Sequence, residues 1–144
     1  ILIILIRLYC ISQMTEKQHI GRLGEDLAVK HLENKGFTIL DRNYLKKYGE
    51  IDIVAQKRKI IHFIEVKSVS RETQMDNVSC VTDKYRPEDN IHPQKLKRLA
   101  RTIQSYLFEK YPKEEPEWLF DAITVRLDVK NKKARVKFLE NIVL

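Results

Sequence analysis

Two short β-type runs joined by a polar tetrapeptide, then a helix, then further strands, narrow the fold more than any other feature of the chain. Gly49 to Ala55 alternates around Ile51 and Ile53, and Ile60 to Ser68 is rich in β-branched residues, with Gln56, Lys57, Arg58 and Lys59 between them. This pattern predicts an antiparallel hairpin. His92 and Pro93 open a helix, with Pro at a favoured first position. Its apolar stripe is Leu96, Leu99, Ala100, Ile103 and Leu107, and Lys97, Arg98 and Arg101 fall opposite. Pro112 and Pro116 end it, and strands are expected at Trp118 to Leu127 and Ala134 to Leu139, joined by Asp128 to Lys133. A strand, a crossover helix and a second strand require a parallel pair, so the sheet is mixed and the fold class is α/β.

Upstream, Thr15 and Gln18 have the spacing of a capping box. A helix is expected from Glu16 to Lys35, with Ile20, Leu23, Leu27 and Leu32 as its apolar positions and Gly36 as its stop. Phe37 to Asn43 reads as a further strand. The predicted order is helix, three strands, helix, two strands. Val69 to Ile91 has no clear period and is expected to be a long loop.

The chain has 144 residues, 43% of them hydrophobic, and four Gly and four Pro leave little room for linkers. That is one domain's length, and its hydrophobic content excludes intrinsic disorder. Residues 1–13 stand apart. Ile1 to Ile11 is nearly all apolar but spans only about 16 Å as a helix, against roughly 30 Å of membrane hydrocarbon, and Arg7 interrupts it. It also lacks a basic lead and a small-residue cleavage site, so neither a membrane helix nor a signal peptide is expected. We read 1–13 as a non-native or disordered extension and 14–144 as the working domain, starting at Met14. Cys10 and Cys80 are too few for a cysteine zinc site or a disulfide framework, which fits reduced thiols in a cytoplasmic protein. No Gly-rich phosphate loop and no Ser-His-Asp order is visible, and the four His have no ligand spacing.

The chemistry lies in Gly49-Glu50-Ile51-Asp52-Ile53 and Phe63-Ile64-Glu65-Val66-Lys67. Alternation puts Glu65 and Lys67 on one strand face, and Glu50 and Asp52 together opposite Ile51 and Ile53. Pairing through the hairpin brings Asp52 toward Glu65 and Lys67. Acids gathered near an apolar interior need a compensating cation. A magnesium-like ion, content with one or two carboxylates and several waters, suits them, and Lys67 can stabilise charge developing on phosphorus. The competing reading is an ordinary salt bridge on a surface hairpin. Glu25 has Gly21, Ala28, Val29 and Leu32 as helical neighbours, all small or apolar. That flank directs it toward the protein, at the metal site or paired at the helix border with Arg22.

An acid on the first helix, an Asp in the second strand and Glu-x-Lys in the third resemble the PD-(D/E)XK nucleases, the restriction-endonuclease-like superfamily that includes archaeal Holliday junction resolvases. Gly21-x-x-Gly24-Glu25, Arg42-Asn43, Gly49-Glu50-Ile51-Asp52, Phe63-Ile64-Glu65-Val66-Lys67, Pro93-x-Lys95-x-x-Arg98-Leu99 and Phe120-Asp121 resemble, more closely, the YraN-type family of uncharacterised bacterial proteins. The resemblance implies a mixed sheet flanked by helices with an αβββαβ core. It also implies that Asp52 and Glu65 hold Mg²⁺ with the Val66 carbonyl, that Lys67 assists catalysis and that Glu25 is an accessory acid. Ser68-Val69-Ser70-Arg71 stands where the family usually has an aromatic and then an Arg.

The formal charge of +7 permits a polyanionic partner. Arg42, Lys95, Lys97, Arg98 and Arg101 are the candidate nucleic-acid contacts, with Lys46, Lys47 and the 57–59 turn nearby; a solvated basic face is the alternative for each. Tyr44 and Tyr48 suit either base stacking or the core. The functional expectation is a nucleic-acid-binding protein, DNA before RNA, with magnesium-dependent phosphodiester hydrolysis. The alternatives are a catalytically silent binding module on the same fold or an interaction protein. A homodimer is implied only by analogy with junction-cutting relatives.

Overall fold

The computed structural model describes residues 15–70 and 93–142. Helix α1 is Glu16–Asn34. Strands β1 (Thr38–Lys46), β2 (Gly49–Lys57) and β3 (Ile60–Ser70) follow, then helix α2 (Pro93–Lys110) and strands β4 (Trp118–Asp128) and β5 (Lys133–Leu139). This is the predicted order. The sheet runs β1-β2-β3-β4-β5, with β3 and β4 parallel across the α2 crossover and every other pair antiparallel. The result is a mixed α/β fold consistent with a restriction-endonuclease-like arrangement.

The capping box forms as the sequence implies: the Gln18 amide donates to Thr15 Oγ1 (3.3 Å) and the Thr15 amide donates to Gln18 Oε1 (3.0 Å). At the other end Gly36 adopts φ +84°, which only glycine enters without steric cost, and the Phe37 amide returns to the Leu32 carbonyl at 3.0 Å. Leu23 does not join the buried stripe; it is exposed, and Gly24, Ala28 and Leu32 form the contact face instead. Gly24 is there because β3 leaves no room: a Cβ at this position would fall 1.7 Å from Ser68 Oγ.

The helices cover opposite faces of the sheet. Ala28 and Leu32 of α1 pack with Phe37, Ile53, Ala55, Ile64, Ile123, Val125 and Leu127. Leu99, Ile103, Tyr106 and Leu107 of α2 pack with Ile51, Val54, Ile61, Phe63 and Phe120. Consecutive residues of β2 and β3 (Ile53 and Val54, Phe63 and Ile64) therefore serve different cores, as a sheet buried on both faces requires.

Several boundaries move. The expected strand 37–43 becomes 38–46, because Phe37 turns into the α1 core and the chain pairs with β2 as far as Lys46↔Gly49. The expected loop start, Val69 and Ser70, continues β3, held by pairing with Arg126 and Leu127. The rest of the expected loop, residues 1–14 and both cysteines lie outside the described residues. No described helix is long and apolar enough to cross a membrane.

Candidate functional site

The β2–β3 ladder begins at the hairpin with Lys57↔Ile60 and ends at Ile53↔Ile64. Asp52 and Glu65, the next residue on each strand, are where the strands part. The Val66 amide, instead of meeting a backbone carbonyl of β2, donates to Asp52 Oδ2 at 2.7 Å. A side-chain carboxylate has replaced a rung of the ladder. The alternation expected from the sequence breaks here: Ile51 and Ile53 do not share a face, since Ile51 packs in the α2 core and Ile53 in the α1 core. Strand β1 carries the complementary irregularity, a register shift between Ile39 and Asp41 and a left-handed Asn43 at φ 50°.

Asp52 is largely buried beside a second acid. Burial first, and repulsion from Glu65 second, push its carboxyl from an ordinary 3.8 up to about 7, with Glu25 and Glu50 adding repulsion and the Val66 hydrogen bond opposing it. Glu65 faces α2, where Lys95 in the helix's first turn bonds its Oε1. Val66 packs against the α1 core, so alternation puts Lys67 on the Glu65 side, and its side chain is exposed.

Glu25 turns toward the sheet from α1, as its small neighbours suggest. Its Oε2 accepts a hydrogen bond from Asn43 Nδ2 at 3.0 Å and lies 3.9 Å from Arg42 Nη2. Arg42 itself bonds Asp26 at 2.7 Å. The left-handed Asn43 is what lets two successive residues of β1 reach the same helix. The sequence pointed to Arg42 and Asn43 as a pair but not to this role; the signal was an Asn, tolerant of positive φ, beside an Arg within a strand.

The candidate basic residues do not form one surface. Arg42 sits on the α1 side, held by acids. Lys95, Lys97, Arg98 and Arg101 are exposed on α2. Arg98 lies against the β1–β2 turn, its Cβ 3.9 Å from where a Gly49 side chain would start. There the Tyr48 ring lies 4.9 Å from Lys47 Nζ and 5.8 Å from the Arg101 guanidinium. Tyr44 takes the core reading: its ring meets Tyr106 edge-on and its hydroxyl donates to Glu109 at 2.7 Å.

Chemically, the arrangement offers oxygen donors from Asp52 and Glu65 with ammonium groups at hand. Among the described residues no three His, Cys, Asp or Glu converge closely enough to hold a metal by themselves. Two carboxylates nonetheless fit the donor set of a magnesium ion, which needs only one or two and retains waters. Burial and the neighbouring Glu65 both disfavour the charged form of Asp52, which a divalent ion bound there would favour.

The site residues fall within the stretch that is similar to known proteins. A family model described as "Uncharacterised protein family UPF0102" matches residues 24–129. A UPF0102 protein of Helicobacter hepaticus is 36% identical over 127 residues, covering 88% of this chain and 96% of the relative. One from Campylobacter jejuni is 38% identical over 122 residues, covering 85% and 91%. One from Flavobacterium johnsoniae is 35% identical over 116 residues, covering 81% and 82%.

Proposed function

The chain belongs to the UPF0102 family, the YraN-type family, and from its site chemistry we propose that it binds nucleic acid, DNA foremost, and hydrolyses phosphodiester bonds with magnesium at Asp52 and Glu65. The observation that carries the reading is the Asp52 carboxylate at the parting of β2 and β3, buried against Glu65 and raised to about 7. A fold does not need two crowded acids at that point, and a buried acid pair costs stability unless a cation compensates it.

In this reading Asp52 and Glu65 are the metal ligands. Bound there, the ion would polarise a phosphate and lower the pKa of a coordinated water. The Val66 amide fixes the Asp52 carboxylate in orientation. Lys67, on Glu65's side, offers an ammonium to the charge that develops on phosphorus. Glu25, held by Asn43 and Arg42, adds negative charge from the α1 side and orients rather than ligates. Arg98 and Arg101 on α2 neutralise phosphates flanking the scissile one.

The test is incubation of the protein with duplex, single-stranded and branched DNA in Mg²⁺ or Mn²⁺, beside Asp52→Ala and Lys67→Ala proteins. Metal-dependent cleavage lost in both variants supports the assignment. Salt-dependent binding without cleavage of any substrate makes the protein a silent binding module, and cleavage retained by both variants removes these residues from the chemistry.

A further inference from the structure

Lys95, in the first turn of α2, places its ammonium on Glu65 Oε1 of β3, 30 positions away in sequence. Its side chain is 55% exposed, whereas that of Glu65 is 20% exposed. Among the described residues no cation pairs with Asp52. Among the described residues Lys95 is thus the cation that pairs with this couple of acids, and a flexible four-carbon stem holds it on Glu65. Three positions further along the same helix face stands Arg98, and beyond it Arg101 approaches Tyr48.

On the metal-site reading above, we propose that Lys95 is an exchangeable counterion, which occupies Glu65 until a divalent cation displaces it and is thereby released to bind a nucleic-acid phosphate. One ammonium cannot neutralise two carboxylates, and a divalent ion can. An ion that reaches both acids competes with Lys95 for the Glu65 carboxylate, whose Oε1 the ammonium holds. The freed ammonium then lies within one helical turn of Arg98, on the face where α2 presents its cations. The converse also holds: a phosphate that draws Lys95 away uncovers Glu65 for the metal. Metal and nucleic acid therefore favour each other's binding, reciprocally, through one side chain. Lysine suits the exchange because it is a compact point charge, whereas arginine's planar fork would grip a carboxylate bidentately.

The experiment measures Mn²⁺ affinity of the full chain by calorimetry or by the free-ion electron paramagnetic resonance signal, without nucleic acid, for the wild type, Lys95→Met, Lys95→Arg and Lys97→Met. Fluorescence anisotropy then follows a short DNA duplex with Ca²⁺ or with chelator. Lys95→Met should bind Mn²⁺ about fivefold more tightly, the lower end of ordinary coupling between sites. Lys95→Arg should bind it no more tightly than the wild type. Lys97→Met, an equal loss of charge on the same helix, should show a clearly smaller gain, which separates competition from long-range electrostatics. Ca²⁺ should strengthen DNA binding in the wild type and do so less in Lys95→Met. Equal Mn²⁺ affinity in the wild type and Lys95→Met, or an equal gain in Lys97→Met, overturns the exchange while leaving the metal site intact. No Mn²⁺ binding by either protein overturns the exchange and the metal site together.

Discussion

Asp52→Asn should make the protein more stable, and the pH dependence of the gain should identify the cause. In the folded protein the Asp52 carboxyl titrates near 7 instead of 3.8, because burial and Glu65 both disfavour its charge. The folded state thus holds this proton more tightly than the unfolded chain. Stability from this group is fully present below the unfolded value and is lost as pH rises through about 7. The span from 3.8 to about 7 corresponds to at most about 4 kcal/mol. Allowing half of that for the part of the side chain still in contact with water, the neutral Asn should gain about 2 kcal/mol at pH 8. Asn keeps an oxygen for the Val66 amide, so the substitution loses no hydrogen bond. For a chain of this length the gain corresponds to about 6–8 °C in Tm. Thermal unfolding followed by circular dichroism in chelator, at pH 8 and pH 5, gives the answer. At pH 5 more than half of the gain should vanish, because the wild-type carboxyl is then protonated in the fold. A variant no more stable than wild type at pH 8, or one whose gain is the same at both pH values, would refute the idea that a desolvated charge is stored at this position.

Further substitutions probe what surrounds the site. Gly24→Ala places a methyl group within 1.7 Å of Ser68 Oγ, so it should destabilise the fold by about 1–3 kcal/mol in urea titration. Adding Ser68→Gly, which also removes the Cβ 2.7 Å away, should restore most of that loss. Asp121→Ala leaves buried His62 and the Asn141 amide without the oxygens they bond at 2.6 and 2.8 Å, so a loss of about 3 kcal/mol or more is expected. The Asn141 amide should then lose protection in hydrogen exchange while the β2 amides keep theirs. Tyr106→Phe removes the hydroxyl that donates to Asp41 at 2.6 Å and should cost about 1–2 kcal/mol, read by the same urea titration, with the edge-on contact to Phe63 preserved.

What the sequence made legible divides from what it did not along a physical line: local signals against pairings settled only by the assembled sheet. Thr15, Gln18 and Gly36 act within a few residues, so the start of α1 and its glycine stop could be read directly. The parallel β3–β4 pair was legible because a helix must lie between such strands, whatever its detail. Alternation, by contrast, presumes an unbroken ladder, and it failed at Asp52, where the carboxylate itself replaces a rung and sends Ile51 and Ile53 to opposite cores. Nothing within five residues of Asp52 announces that break; it depends on Val66, fourteen positions away, and on the irregular course of β1 at Asn43. Lys95 read as one more surface cation because its helical spacing is that of Arg98, yet the crossover brings it to Glu65. His62 and Asp121 had no legible relation, for they meet diagonally across a register in which His62 faces Leu119 and Asp121 faces Ile64. The residues that carry the proposed chemistry thus stand where a local rule fails, and the failure is informative. A strand that gives up a backbone hydrogen bond to a buried acid accepts a cost that packing alone does not explain, and a bound cation would offset it.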